Sequence, residues 1–138
     1  MKLKALVALA MGAAFWACES PTEAGPEDVR SVSIISGDGQ TVAPGATTPK
    51  PIVIEVKDGS GKPIRFINLF WEVNHKDGGS IGGIPEAEAR TNNDGRASGL
   101  VRTDSVPGEY VVTIYAGRYE NEAGDTITVT GTAKVFAN

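Results

Sequence analysis

Residues 51–73, PIVIEVKDGSGKPIRFINLFWEV, hold two runs of strict alternation on either side of a turn-forming cluster. In the first, Ile52, Ile54 and Val56 share one face while Val53, Glu55 and Lys57 share the other, the period of a half-buried strand. In the second, Ile67, Leu69, Trp71 and Val73 alternate with Asn68, Phe70, Glu72 and Asn74. Between them, Asp58 to Pro63 (DGSGKP) places a turn-capping carboxylate, two glycines suited to positive φ and a proline that cannot extend a ladder. A chain built on strand, turn, strand in this way is committed to a sheet with one apolar face.

The remainder has the same grammar. Val32 and Ile34 alternate with serines, Gln40–Val42 reads as a short edge segment, and Tyr110, Val112 and Ile114 follow a Pro107-Gly108 turn. Asn92-Asn93-Asp94-Gly95 signals a hairpin with positive φ at both central residues. Alternation then resumes over Arg96–Arg102 and again from Thr126 to Phe136, where Ile127, Val129, Gly131, Ala133 and Val135 share a face. No window after residue 18 has a helical period. Short strands punctuated by Gly, Pro, Asn and Asp at roughly ten-residue spacing predict an all-β chain, an antiparallel β-sandwich. Its expected core is Ile52, Ile54, Val56, Leu69, Trp71, Val73, Tyr110, Val112 and Ile114. Phe70, Val111 and Tyr115 then face outward, a candidate partner surface if β-sandwich topology makes their strands neighbours.

The ordered set Gly39–Val42 (GQTV), Pro51–Asp58, Gly61-Lys62-Pro63, Thr91–Ala97 (TNNDGRA) and Gly108–Val112 (GEYVV) resembles the bacterial immunoglobulin-like group 1 domain of the invasin and intimin adhesins. The resemblance covers nearly all of residues 32–137 and departs at Ile64–Ile67 and at an insertion-like loop, Gly117–Asp125. Carboxypeptidase regulatory-like domains share the D-x-x-G-x-P and D-G turns but not the upstream Gln-Thr element. The first resemblance implies an immunoglobulin-like sandwich without a catalytic site, serving as a structural bead or adhesion module.

At the N-terminus, Lys2 and Lys4 precede an uncharged run to Ala17, too short to span a bilayer and suited to a secretory signal. Ala17-Cys18 is similar to the lipobox of bacterial lipoproteins, in which the cysteine is acylated after cleavage; Phe15 and Trp16 depart from its usual aliphatic and small residues. An ordinary signal peptide cut near Ala13–Ala17 is the alternative, and it would leave Cys18 as an unpaired thiol in an oxidising compartment. The organisation expected is a lipoprotein signal peptide over residues 1–17, a lipidated cysteine and disordered acidic tether over 18–28, and an immunoglobulin-like sandwich over 29–138. Localisation follows as a membrane-anchored lipoprotein of the bacterial envelope, outer membrane or cell surface.

Charge narrows the partners. Removing Lys2 and Lys4 takes the net charge from -4 to -6, which disfavours nucleic acid. His75, Asp77 and Ser80 assemble triad residue types, but on one glycine loop rather than a rigid frame, so no catalytic residue is assigned and no enzyme is expected. His75 and Asp77 with Glu86 and Glu88 have no zinc spacing, and Asp38, Asp58, Asp77 and Asp94 each precede glycine as turn residues do, so no metal and no cofactor is expected. The function expected is a lipid-anchored extracytoplasmic module for structure, adhesion or protein interaction, held to the membrane and engaging another envelope or surface protein. The alternative is a carbohydrate- or peptide-binding accessory module.

Acylation of Cys18 is directly measurable. Cells expressing the full chain and fed a labelled fatty acid should yield a labelled, membrane-sedimenting protein, and Cys18→Ala should lose both properties. A mature protein whose mass corresponds to a free thiol would exclude the anchor.

Overall fold

A computed structural model describes residues 24–138, so Cys18, the signal segment and most of the tether lie outside the described residues. The chain forms eight strands: β1 (Val29–Ser36), β2 (Gln40–Val42), β3 (Ile52–Asp58), β4 (Phe70–His75), β5 (Gly83–Ala87), β6 (Arg96–Arg102), β7 (Gly108–Glu120) and β8 (Thr126–Ala137). They build two four-stranded sheets, ordered β1-β3-β6-β5 and β2-β8-β7-β4. With the first strand divided between the sheets, this is the strand order of the immunoglobulin constant-type sandwich. The fold is immunoglobulin-like and all-β.

One pairing departs from the antiparallel expectation, because β2 runs parallel to β8. The chain leaves β1 at Ser36 and crosses to the other sheet through Gly37, whose φ of 91° and close approach to the Pro51 carbonyl admit no side chain. The two alternating runs of residues 51–73 also separate. β3 and β4 belong to opposite sheets, and β4 begins at Phe70 rather than Ile67, because Pro63–Leu69 carries the chain across the sandwich. At Asn92–Gly95 only Gly95 has positive φ (74°), since Asn92 Oδ1 accepts the Asp94 and Arg96 amides and closes the turn from its side chain. Gly117–Glu120 is strand rather than loop. β7 and β8 extend as a hairpin to a turn in which Asn121 Oδ1 accepts the amides of Ala123 and Asp125.

Ile52, Ile54 and Val56 from one sheet and Val73, Tyr110, Val112 and Ile114 from the other are fully or almost fully buried. Burial of side chains of this size contributes about 1.5–3 kcal/mol each. Leu69 and Trp71 are half-buried at the margin of this core. The Trp71 indole covers Gly99, where an added Cβ would stand 3.1 Å from Cζ3, and its Nε1–H donates to the Glu88 carbonyl at 3.1 Å. Trp71 therefore seals one side of the core rather than filling its centre. A register shift between Tyr115 and Gly117 reverses the alternation of β7, so Tyr119 packs against the core edge beneath Arg30, whose guanidinium lies 3.8 Å from the ring centroid. Ile127, opposite Tyr119 on the overhanging hairpin, is exposed.

Buried threonines hold the connections. Thr48 Oγ1 accepts the Val101 amide, Thr103 Oγ1 accepts the Gly45 amide, and Thr91 joins two turns of the crossing segment. Tyr110, with no exposed surface, donates its hydroxyl to the Val106 carbonyl at 2.7 Å. That is the tyrosine corner of immunoglobulin-like folds, at the start of the strand where it belongs. Among the described residues no buried side-chain polar atom lacks a partner.

Tyr110→Phe removes the donor to Val106 while keeping the ring. It should lower stability by about 1–2 kcal/mol with an unchanged denaturant slope, measured by urea unfolding.

Candidate interaction surface

β4 and β7 pair in a register that sets Phe70 opposite Tyr115, Glu72 opposite Thr113 and Asn74 opposite Val111. The inward set of β4 (Trp71, Val73) forces Phe70 and Glu72 onto the outer face of the sheet. Phe70 is 63% exposed there, its ring 5.8 Å from that of Tyr115 at an angle of 46°. The Tyr115 hydroxyl donates to Glu72 Oε2 at 2.9 Å, fixing the phenol beside the open Phe70 ring. Donation to Glu72 also raises the Tyr115 pKa above its ordinary value, because ionisation would forfeit that bond and set two negative charges together. Val111 lies four register positions from Tyr115, across from Asn74 and Lys134, so only Phe70 and Tyr115 of the three candidates meet.

The polar candidates on the glycine loop are occupied by backbone. The Asp77 amide donates to His75 Nδ1 at 3.1 Å, which assigns the ring proton to Nε2, and this nitrogen donates to the Pro107 carbonyl at 3.0 Å. Ser80 is buried, and its carbonyl accepts the His75 amide. Both ring nitrogens are engaged, and none addresses the Ser80 hydroxyl. Glu88 accepts the amide and hydroxyl of Ser98, and among the described residues no three His, Cys, Asp or Glu side chains converge.

The glycine-preceding aspartates do different things. Asp58 accepts the Ser60 amide and hydroxyl and the Lys62 amide, and these bonds, the Ser60 hydroxyl foremost, lower its pKa. Asp38 reaches across to the Lys134 amide at 2.7 Å and ties the β1–β2 turn to β8.

A second exposed aromatic went unread in the sequence. Phe66 has a φ of 59°, the one non-glycine residue among those described with positive φ, and it is 46% exposed. A bulky residue in the left-handed region costs about 1–2 kcal/mol, so its surroundings must hold it there. They do so through Thr91: the Phe66 amide donates to the Thr91 carbonyl, and Thr91 Oγ1 accepts the Ile67 amide at 2.9 Å while donating to the Ile64 carbonyl at 2.8 Å. The guanidinium groups of Arg65 and Arg90 lie 5.3 Å and 5.1 Å from the ring centroid. Residue type carries no signal for this conformation.

On the outer face of the opposite sheet, Pro49, Pro51, Glu86, Glu88, Ser98 and Leu100 border an open groove of about 450 Å³.

No family model and no curated protein matches the sequence. Several solved structures are similar in fold. The filamin domain of Lin-41 matches with 17% identity and a TM-score of 0.48 over 77% of this chain and 97% of its own. The C-terminal domain of ZirS matches with 14% identity and a TM-score of 0.48 over 85% of this chain and 72% of its own. The D00-D0 domain of intimin matches with 15% identity and a TM-score of 0.46 over 86% of this chain and 52% of its own.

The Tyr115–Glu72 bond has a pH signature. Because the folded pKa is raised, its contribution is fully present below the ordinary tyrosine value of 10.0 and is lost as pH rises through the folded value. Tyrosinate absorbance should show Tyr115 ionising later than an ordinary tyrosine, and Glu72→Gln should move it back toward that value.

Proposed function

We propose that this chain is a lipid-anchored, extracytoplasmic immunoglobulin-like module of the bacterial envelope whose role is to engage another envelope or surface protein. The observation that carries this reading is the Phe70–Tyr115 pair: an aromatic residue 63% exposed on the outer face of its sheet, beside a phenol held in place by Glu72. Rigid aromatics with a polar handle lose little entropy on contact and are enriched at the centres of protein interfaces. The sequence resemblance to the group 1 adhesin domains supports the same class of function, and Ala17-Cys18 supports the anchor.

A second reading, a carbohydrate- or peptide-binding accessory module, is favoured by the groove between Pro49, Pro51 and β5. It offers Glu86 and Glu88 carboxylates on an apolar floor but no aromatic platform.

Phe70→Ser combined with Tyr115→Ser tests the first reading. A cross-strand pair of this kind stabilises a sheet by about 0.2–1 kcal/mol, so the variant should melt within a few degrees of wild type. Wild-type chain in intact envelopes should form a cross-linked adduct of defined mass that the double variant loses. A large fall in melting temperature with the adduct unchanged would make the pair structural. Retention of isolated glycans by the wild type, lost on Glu86→Gln with Glu88→Gln, would instead support the groove.

A further inference from the structure

β1 and β2 run alongside β8, in its own direction, over the height of the sandwich. Val29 packs against Gly117, next to Val129 in the β7–β8 ladder. Val32 lies over Gly131, where an added Cβ would stand 2.7 Å from its Cγ1, and Gly39 donates its amide to the Lys134 carbonyl at 2.9 Å. Gln40, Thr41 and Val42 then pair in parallel with Val135, Phe136 and Ala137. The chain thus enters beside Gly117, while β8 ends beside Gly108, and these two positions on β7 are roughly 30 Å apart at about 3.3 Å per residue.

This arrangement sets the direction in which load is carried. Holding the entering chain while drawing β8 the other way slides β2 along β8, so the bonds between them share the load and break together. Peeling from one end would break them one at a time. Three residues make a short strand, and side chains reinforce it. Asp38 Oδ1 accepts the Lys134 amide at 2.7 Å at one end of the seam, and the Asn138 amide donates to the Val42 carbonyl at 2.9 Å at the other. Gln40 pins the crossing to the segment that leads into β3. Its Nε2 donates to the Gly37 and Lys50 carbonyls at 2.7 Å and 2.9 Å, and its Oε1 accepts the Lys50 amide at 3.1 Å. Asp38 is exposed and Gln40 half-buried, so packing of the core calls for neither side chain.

We propose that residues 37–42 form a mechanical latch, which keeps the sandwich folded when it is pulled between its N-terminal end and the sheet that contains β8. The Phe70–Tyr115 surface lies on β4 and β7 of that sheet, so a partner drawing on it against the N-terminal anchor loads the same seam. That source of load rests on the anchor and partner of the proposed function; the latch itself does not.

Force spectroscopy on detergent-solubilised full-length chain tests the latch, with handles on azide-bearing residues in place of Ala24 and Asn138. Cys18 then stays as the cell leaves it. Under load, the lengthening that frees residues through Val42 should coincide with loss of the whole sandwich. Asp38→Ala with Gln40→Ala should shorten the loaded lifetime about fivefold or more, because the bonds removed must break before β2 can slide. Tyr110→Phe, whose bond to Val106 lies off the seam, should lower stability in urea yet keep a loaded lifetime within about twofold of wild type. If the double variant does not fold, Asp38→Ala alone gives the same comparison.

Release of residues through Val42 at a lower force than the rest would overturn the proposal. So would a loaded lifetime unchanged by the seam substitutions, or one that Tyr110→Phe shortens as much as they do, since the core would then give way as a unit. The lifetimes need neither lipid nor partner. A failed latch therefore leaves the proposed function standing, and a failure of fatty-acid labelling or cross-linking leaves the latch standing.

Discussion

Contact between the apolar face of β3 and that of β7 is the interaction on which the rest of the molecule depends. Ile52, Ile54 and Val56 have no exposed surface, and neither do Tyr110, Val112 and Ile114 on the facing sheet. Each strand is central in its sheet, β3 between β1 and β6 and β7 between β8 and β4. Removing either face would therefore strip the support from three strands at once. The described residues contain no disulfide to compensate, so hydrophobic burial and the tyrosine corner at Tyr110 do the work that a bridge performs in antibody domains.

Around that core the structure manages its margins. β1 carries two register irregularities, β5 contains Pro85 and a register shift, and β2 is three residues long. Each feature blunts an edge that would otherwise template another strand. The β4 edge is covered by its own chain, where Asn68 bridges Arg90 and Asn74 bridges Ile81. Strand addition is thus a poor route to a partner, which leaves sheet faces and loop ends as the contact surfaces available.

The aromatic side chains divide along the same line. Tyr110 and Trp71 serve the core, one at its centre and one as a seal over Gly99, and Tyr119 closes its edge under Arg30. Phe70 and Phe66 do neither. One stands open on a sheet face, and the other is held by Thr91 in a backbone conformation its own side chain opposes. The proposed function rests on the first of these positions, where the ring is open to solvent beside Tyr115.

By itself the sequence determined that the chain is a β-sandwich, which residues of β3, β4 and β7 turn inward, and that Phe70 and Tyr115 turn outward. Period-2 alternation is a local property, and it assigns each residue a face of its strand. Tertiary structure alone decided which strands share a sheet, so the two runs of residues 51–73 part company and β2 pairs parallel with β8. It also decided that Phe70 meets Tyr115 rather than Val111, because register is set by pairing across strands distant in sequence. The conformation of Phe66 was likewise beyond reach: its left-handed backbone is held by Thr91, twenty-five positions along the chain, and no property of residues 64–67 taken alone contains it.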